Sequence, residues 1–224
     1  MLQKALQSAK TVAIGGHIRP DGDCVGSCMG LYNYIRTWYP ETEADVYLED
    51  IPNSFRFIKA TDKIFHEGKE KKYDLFIALD CGDMERLGFS GGLFKTAEKT
   101  LCIDHHISNQ AFADENYIKP DASSTSELVF ELIDKSKITR EIAECLYLGM
   151  VHDTGVFQYS CTSPDTMAAA AELMKTGIDY SRIISDTYYK KSYVQNQILG
   201  RALLESILFM DGKCIVSVLS KKTM

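Results

Sequence analysis

The chain has 224 residues, of which 45% are hydrophobic, and its formal net charge at pH 7 is −6. This hydrophobic content suffices for a packed core, and the length exceeds that of one average domain. The acidic balance argues against a broad basic surface for long nucleic acid, and no apolar run is long enough to span a bilayer.

Cysteine usage and the N-terminus predict the compartment. The seven cysteines include no CxxC pair, and Cys24 and Cys28 are interpreted as small buried hydrophobic residues. No apolar segment follows the first lysines, as a signal peptide would require. We therefore expect a soluble, cytoplasmic protein.

Strands and helices are predicted to alternate in the first half of the chain. The predicted elements are a strand at 11–16, a helix at 24–39, a strand at 44–49, a short helix at 51–59, and strands at 73–80 and 99–106. The last two are near-continuous apolar runs, which are typical of central parallel strands. This order predicts a doubly wound α/β fold, with a mostly parallel sheet flanked by helices.

After Pro120 the pattern becomes helical. Helices are predicted at 124–135, 140–157, 163–177 and 180–205, and a β-hairpin at 206–220. Because a lone hairpin cannot bury its apolar face, it either docks on the first domain or begins a further one. The expected organisation is a domain at 1–188, a linker helix at 189–205 and the truncated start of a C-terminal substrate-binding domain at 206–224.

Aspartate and histidine residues follow three of the predicted strands. They are His17, Asp21 and Asp23 in GGHIRPDGDCVGS, Asp80 after the strand at 73–80, and Asp104, His105 and His106 at the end of the strand at 99–106. The helix at 140–157 adds His152 and Asp153. Since ligands bind at the carboxyl ends of strands in parallel sheets, we expect these side chains to lie close together.

Crowded carboxylates cannot all stay ionised without compensation, which a divalent cation supplies. Carboxylate and imidazole ligands favour Mn²⁺, with Mg²⁺, Co²⁺ or Fe²⁺ as alternatives. So many ligands exceed the needs of one ion, and two ions about 3.5–4 Å apart suit phosphoryl chemistry. Each motif also has a purely structural explanation, such as a turn at Asp21-Gly22-Asp23 or a helix cap at Asp80.

The motifs resemble those of a known family. Asp104-His105-His106 in CIDHHISN resembles the signature of the DHH phosphoesterase superfamily, whose other motifs resemble residues 17–23, 79–83 and 152–155. DMERLG at 83–88 and DASSTSE at 121–127 are similar to the NrnA-type branch, which combines oligoribonuclease (nanoRNase) and pAp phosphatase activities. The resemblance implies a manganese-dependent phosphoesterase that hydrolyses short oligoribonucleotides to mononucleotides and pAp to AMP.

The resemblance also implies residue roles. One Mn²⁺ would be bound by His17, Asp21 and Asp80, and the other by Asp23, Asp80, His105 and Asp153. His106 and Asp104 are the candidate catalytic pair: His106 faces the phosphate or protonates the leaving oxygen, and Asp104 orients the neighbouring histidine. Arg86 and Ser124 are candidate substrate-binding residues, with a surface arginine and a plain N-cap as their alternatives.

Other functions stay open at this point. Within the superfamily they are an inorganic pyrophosphatase, a pApA or cyclic-dinucleotide phosphodiesterase and a RecJ-type exonuclease; outside it, a non-enzymatic metal-dependent domain on the same scaffold. The expected partners are short oligoribonucleotides or small phosphorylated nucleotides, without long duplex nucleic acid or membrane, and a homodimer is a further option.

Family members usually carry a C-terminal domain with a glycine-rich motif that binds the substrate. We therefore expect weak activity on short RNA from this chain alone.

Overall fold

The computed structural model describes residues 1–220. The strands in this part of the chain are β1 (Thr11–Gly15), β2 (Glu43–Tyr47), β3 (Ile64–Phe65), β4 (Leu75–Leu79), β5 (Thr100–Asp104), β6 (Glu115–Ile118), β7 (Ile207–Phe209) and β8 (Cys214–Val216). The α-helices are α1 (Leu2–Ser8), α2 (Gly22–Trp38), α3 (Gly91–Thr96), α4 (Thr125–Leu132), α5 (Arg140–Asp153), α6 (Pro164–Met174), α7 (Tyr180–Ile184) and α8 (Tyr193–Leu204). None of the described helices is both long enough and apolar enough to cross a membrane.

Six strands pair in the order β3-β2-β1-β4-β5-β6, and every neighbouring pair is parallel. The predicted doubly wound α/β fold is confirmed. The strand order changes direction between β1 and β4, so the chain leaves these two neighbours toward opposite faces of the sheet. In such folds this switch point leaves a crevice at the carboxyl edge, where ligands bind.

The sheet is buried on both faces, which explains the near-continuous apolar runs. In β4, Leu75, Ile77 and Leu79 belong to the larger hydrophobic core, whereas Phe76 and Ala78 belong to a second core on the opposite face. Alternate residues of a strand point to opposite faces, so a strand between two cores has no polar side.

Helices α2 and α5 pack at a glycine contact. A Cβ atom at Gly26 of α2 would lie 2.5 Å from the carbonyl oxygen of Cys145 and 2.8 Å from the backbone nitrogen of Gly149. This close approach brings the start of α2, with Asp23, near the end of α5, with Asp153.

The structure differs from the prediction in several elements. The helix expected at 180–205 is interrupted, and consists of α7, a π-helical turn at Ser185–Tyr189 and α8. The helix expected at 51–59 is reduced to a single 3₁₀ turn at Asn53–Phe55, preceded by Pro52 and without a side-chain cap. The edge strands β3 and β6 were not predicted, since they are short and only partly buried. Helix α5 ends at Asp153 rather than near 157, because Gly155, Val156 and Phe157 adopt left-handed backbone conformations (φ 55°, 58° and 64°).

The chain divides into two compact units, the first of them Met1–Tyr188 and the second beginning at Tyr189. In the second unit, Ser192 and Gln195 form a capping box at the start of α8. Strands β7 and β8 pair as an antiparallel hairpin, as predicted, with Asp211 and Gly212 at the turn in left-handed conformations. The linker at 189–205 and the domain start at 206–224 stay predictions, and residues 221–224 lie outside the described part of the chain.

Candidate metal centre

Six predicted metal ligands meet at the carboxyl edge of the sheet. They are His17 after β1, Asp21 and Asp23 at the start of α2, Asp80 after β4, His105 after β5 and Asp153 at the end of α5. The loops after β1 and β4 supply His17 and Asp80 at the switch point of the sheet, and helix α2 begins directly after the first of these loops.

Asp80 lies at the centre of the cluster. Its Oδ2 is 3.4 Å from His17 Nε2, and its Oδ1 is 3.6 Å from His105 Nε2. The residue is 2% exposed and has a left-handed backbone (φ 54°), a conformation that is uncommon among residues other than glycine but more frequent for aspartate than for most. The Asp80 carboxylate therefore lies between two groups of predicted ligands, with one group facing Oδ2 and the other facing Oδ1.

The first group contains His17 and Asp21. His17 Nδ1 donates to the carbonyl oxygen of Ile18 at 2.8 Å, which turns Nε2 toward Asp21 Oδ2, 3.5 Å away. Burial opposes the charged imidazolium, but hydrogen bonds to Asp21 and Asp80 outweigh it and raise the pKa of His17 to about 11. The Cys24 thiol lies within 4.8 Å of the ligand atoms of His17 and Asp80.

The second group contains Asp23, His105 and Asp153. His105 Nε2 lies 3.0 Å from Asp153 Oδ2 and 4.0 Å from Asp23 Oδ2. Burial and the negative charges of Asp80 and Asp153 raise the pKa of Asp23 well above its ordinary value, and burial also raises the pKa of Asp153. The Asp23 and Asp80 carboxylates are buried, so their mutual repulsion is only weakly screened by water.

The N-terminus of α4 holds Asp23 in place. The backbone N–H groups of Thr125 and Ser126 donate to the two Asp23 oxygens at 2.6 Å and 2.8 Å, and the Thr125 hydroxyl donates to Asp80 Oδ1 at 3.3 Å. Ser124 is fully buried, and its hydroxyl accepts the N-cap hydrogen bond from Glu127 N at 3.1 Å. Of these three neighbours, the sequence pointed only to Ser124.

Asp104 orients His106. Its buried carboxylate accepts from His106 Nδ1 at 2.7 Å on Oδ1 and from Asn109 Nδ2 at 2.7 Å on Oδ2. The hydrogen bond to Asp104 raises the pKa of His106 above its ordinary value. Asn109 was overlooked in the sequence, although it closes the CIDHHISN segment; its place five residues after Asp104 was the available signal.

Arg86 and His152 lie outside the cluster of ligands. Arg86 contacts the site through its backbone: its carbonyl oxygen accepts a hydrogen bond from Ile18 N at 2.8 Å. Within residues 1–220, its guanidinium group forms no ion pair. His152 packs edge-on against Phe55, with ring centroids 5.1 Å apart, and its Nε2 is 3.0 Å from the Thr187 hydroxyl. The structure thus gives His152 a packing and hydrogen-bonding environment.

The residues fit a divalent cation by their donor chemistry. Among the described residues, the ligand atoms form three groups within 4.8 Å: His17, Cys24 and Asp80; Asp80, His105 and His106; and Asp23, His105 and Asp153. Imidazole nitrogen and carboxylate oxygen are ligands that Mn²⁺, Fe²⁺ and Co²⁺ accept. A cation between Asp23, Asp80 and Asp153 would offset the repulsion that raises the pKa of Asp23.

Comparison with protein families decides the relationship. The profile of the DHH family, N-terminal domain, matches residues 11–150. The chain belongs to the DHH family. The DHH match includes every predicted ligand except Asp153, which lies three residues beyond its end, so the resemblance predicted from the motifs is confirmed.

Individual DHH relatives are similar over most of this chain. A bifunctional oligoribonuclease and PAP phosphatase, NrnA, of Bacillus subtilis (strain 168) is 30% identical over 187 residues, which are 81% of this chain and 58% of that protein. The protein of the same name from Thermus thermophilus is 27% identical over 217 residues, 92% of this chain and 62% of that protein. The chain therefore spans somewhat less than two thirds of these relatives.

A solved structure supports the same fold. The crystal structure of an exopolyphosphatase-related protein from Bacteroides fragilis superimposes with a TM-score of 0.89 at 26% identity, covering 99% of this chain and 69% of that one. The fold of this chain is thus similar to that structure over nearly its whole length.

Proposed function

We propose that this DHH chain is a two-cation phosphoesterase that hydrolyses short oligoribonucleotides to mononucleotides and pAp to AMP. The proposal rests chiefly on Asp80, whose two oxygens face His17 on one side and His105 on the other. A carboxylate in this position suits a bridge between two cations. The NrnA-named relatives support the substrate class.

The residues that would hold the cations follow from this arrangement. His17, Asp21 and Asp80 would bind one ion, and Asp23, Asp80, His105 and Asp153 the other, with Mn²⁺ as the favoured metal. Divalent cations held by these residues would neutralise the carboxylates and withdraw charge from phosphoryl oxygens. The N-terminus of α4 keeps Asp23 oriented toward the site, a supporting role common around metal ligands.

The remaining polar residues would act on the substrate. Hydrolysis adds water across the P–O bond, and the leaving oxygen must gain a proton. His106 donates its Nδ1 proton to Asp104 in a hydrogen bond, so Nε2 is the atom that would face the phosphate or the leaving oxygen. The proton given to the leaving oxygen would be a second one, carried on Nε2 of the charged ring. Arg86, on the loop after β4, is the candidate for contacting a second phosphate oxygen, and Ser124 would act only through the helix N-terminus that it caps.

The substrate is expected to be short. A net charge of −6 does not favour binding along a nucleic-acid strand, which uses extended basic grooves. Small nucleotides instead present one or two phosphates to a compact cation site. A cytoplasmic location also follows from this substrate class and stays part of the proposal.

Replacing Asp80 tests the proposal. We expect Asp80→Ala to reduce manganese-dependent hydrolysis by at least about 100-fold, because losing even an outer partner of a metal ligand costs up to that much. The measurement is product analysis with pAp, pApA, short RNA and pyrophosphate. Asp62→Ala is the control, since that carboxylate is exposed and forms an ion pair with the neighbouring Lys63.

Circular dichroism establishes that the Asp80→Ala variant keeps its helices. Full activity in a folded variant would refute the two-cation assignment. Hydrolysis of pyrophosphate in preference to pAp and RNA would instead replace the proposed substrate with the pyrophosphatase alternative, while leaving the role of Asp80 intact.

A further inference from the structure

Asn109 connects three segments of the site through one side-chain amide. Its Nδ2 donates to Asp104 Oδ2 at 2.7 Å and to the carbonyl oxygen of Cys81 at 3.1 Å. Its Oδ1 accepts from the backbone nitrogen of Ala111 at 2.8 Å. Acceptors surround the nitrogen and a donor faces the oxygen, so the hydrogen-bond network assigns the orientation of the amide.

These contacts fix the carboxylate of Asp104. The residue is fully buried, and each of its oxygens has one side-chain donor, His106 Nδ1 and Asn109 Nδ2. If the second donor were lost, the carboxylate would be free to rotate about its terminal torsion or to lie buried with an unpaired oxygen. Asn109 therefore determines which way Asp104 presents Oδ1 to His106.

The orientation of Asp104 in turn determines which nitrogen of the His106 ring faces it. Nδ1 must carry a proton to donate to Asp104, and Nε2 has no hydrogen bond to any residue in the range 1–220. The His106 side chain is 32% exposed, so this nitrogen is accessible to a ligand. Cys81 follows Asp80 directly, so the same amide also fixes the loop that carries the central carboxylate.

We propose that Asn109 is a positioning residue that, through Asp104, holds the His106 ring with Nδ1 directed at Asp104 and Nε2 facing the substrate phosphate. The effect on turnover rests on the proposed phosphoesterase function, whereas the effect on the ring does not. Within the described chain, the side-chain amide of Asn109 has no hydrogen bond to a predicted metal ligand that would explain such an effect otherwise.

A merely structural asparagine is available nearby as a control. Asn116 in β6 donates from Nδ2 to the carbonyl oxygen of Ala113 at 2.6 Å and accepts from Ala113 N at 3.2 Å. It stabilises a turn just as Asn109 does at Ala111, but both of these hydrogen bonds are local and neither involves Asp104. Comparing variants of the two residues thus distinguishes an effect of lost local structure from an effect of lost orientation of the His106 ring.

The experiment compares Asn109→Ala and Asn109→Asp with Asn116→Ala in the full chain. Long-range ¹H–¹⁵N NMR spectra of the neutral imidazole, assigned with His106→Gln, report which ring nitrogen is protonated. In the unmodified chain, we expect His106 to be mainly in the Nδ1–H form. In both Asn109 variants, we expect this form no longer to predominate. In manganese-dependent hydrolysis of pAp, kcat should fall about 10–100-fold in these variants, with KM changed less than about twofold.

The outcomes are distinguishable. Asn116→Ala should leave both the ring and kcat unchanged. Folded Asn109 variants that retain the Nδ1–H form would overturn the proposal, whether or not kcat falls. If the Asn109 variants lose the Nδ1–H form of His106 but keep the original kcat, the proposed role of Asn109 in the reaction is overturned. If the unmodified chain hydrolyses no phosphate ester, the proposed function fails, and the spectra still decide whether Asn109 orients His106.

Discussion

At the scale of single residues, Gly149 shows how closely the site is packed. It lies in α5, opposite the start of α4. A Cβ atom there would collide with the hydroxyl of Ser126 and would lie 2.6 Å from Asp23 Oδ1. Both neighbours belong to the arrangement in which α4 holds Asp23, so neither can move without disturbing that carboxylate. Only glycine at position 149 leaves room for the Asp23 carboxylate and the Ser126 hydroxyl.

We expect Gly149→Ala to destabilise the fold by about 1–3 kcal/mol, since overpacking a filled core has that cost. It should also weaken Mn²⁺ binding, because Asp23 is displaced. Gly92→Ala in α3 is the matched control: its Cβ meets no atom within 4 Å, and alanine is the better helix former. Urea denaturation and calorimetric Mn²⁺ titration measure both effects. Unchanged Mn²⁺ affinity in Gly149→Ala would contradict the packing argument.

The residues at strand ends were predictable, and those that support them were not. His17, Asp80 and His105 follow apolar runs, so the general rule for parallel sheets placed them at one edge. The contacts of Thr125 with Asp23 join residues more than a hundred positions apart. No local pattern encodes such a contact, because it exists only once α2 and α4 have packed.

At the scale of elements, a buried polar chain joins β2 to the segment before β4. Asp45 of β2 accepts from the Tyr73 hydroxyl at 2.6 Å and from Lys71 Nζ at 2.9 Å, and Tyr73 also contacts the hydroxyl of Tyr47. Burial opposes ionisation of Asp45, but the hydrogen bonds from Tyr73 and Lys71 outweigh it and lower its pKa. These bonds connect β2 to the segment before β4 and so stabilise one side of the sheet.

The lowered pKa of Asp45 predicts a pH-dependent contribution to stability. Its folded pKa lies below the ordinary value of 3.8, so the ionised carboxylate stabilises the fold above that pH and stops doing so as pH falls further. Asp45→Asn should lower the free energy of unfolding by about 1.5–3 kcal/mol at pH 7, the range for hydrogen bonds to charged groups. Urea unfolding between pH 7 and pH 3 should show this difference narrowing below about pH 4. A difference that stays constant with pH would exclude ionised Asp45 as its source.

Long apolar elements were predictable because burial on both sides leaves a strong pattern. Strands β1, β4 and β5 and helix α2 were expected close to where they occur. Strand β6, by contrast, has one exposed and three half-buried residues, which gives no clear periodicity. The 51–59 segment has apolar residues at helical spacing, but it forms only a 3₁₀ turn after Pro52. Tertiary contacts, rather than local propensity, decided these segments.

At the scale of the whole molecule, the predicted ligands and their supporting residues all lie within the first unit. The ligands extend from His17 to Asp153, and the buried hydrophobic residues of both cores end at Ile183. In the described part of the second unit, no residue of α8, β7 or β8 is buried. The first unit therefore contains everything that the cation site and its core require.

A fragment of residues 1–188 should consequently fold and bind Mn²⁺ with the affinity of the full chain. The core is complete without the later residues, and no predicted ligand is lost. Urea unfolding and calorimetric titration of the two proteins provide the comparison, with Asp80→Ala in each as the negative control. Loss of Mn²⁺ binding in a folded fragment would contradict this assignment. Unchanged Mn²⁺ affinity with weaker binding of a dinucleotide would instead place substrate contacts after residue 188, as the predicted substrate-binding domain requires.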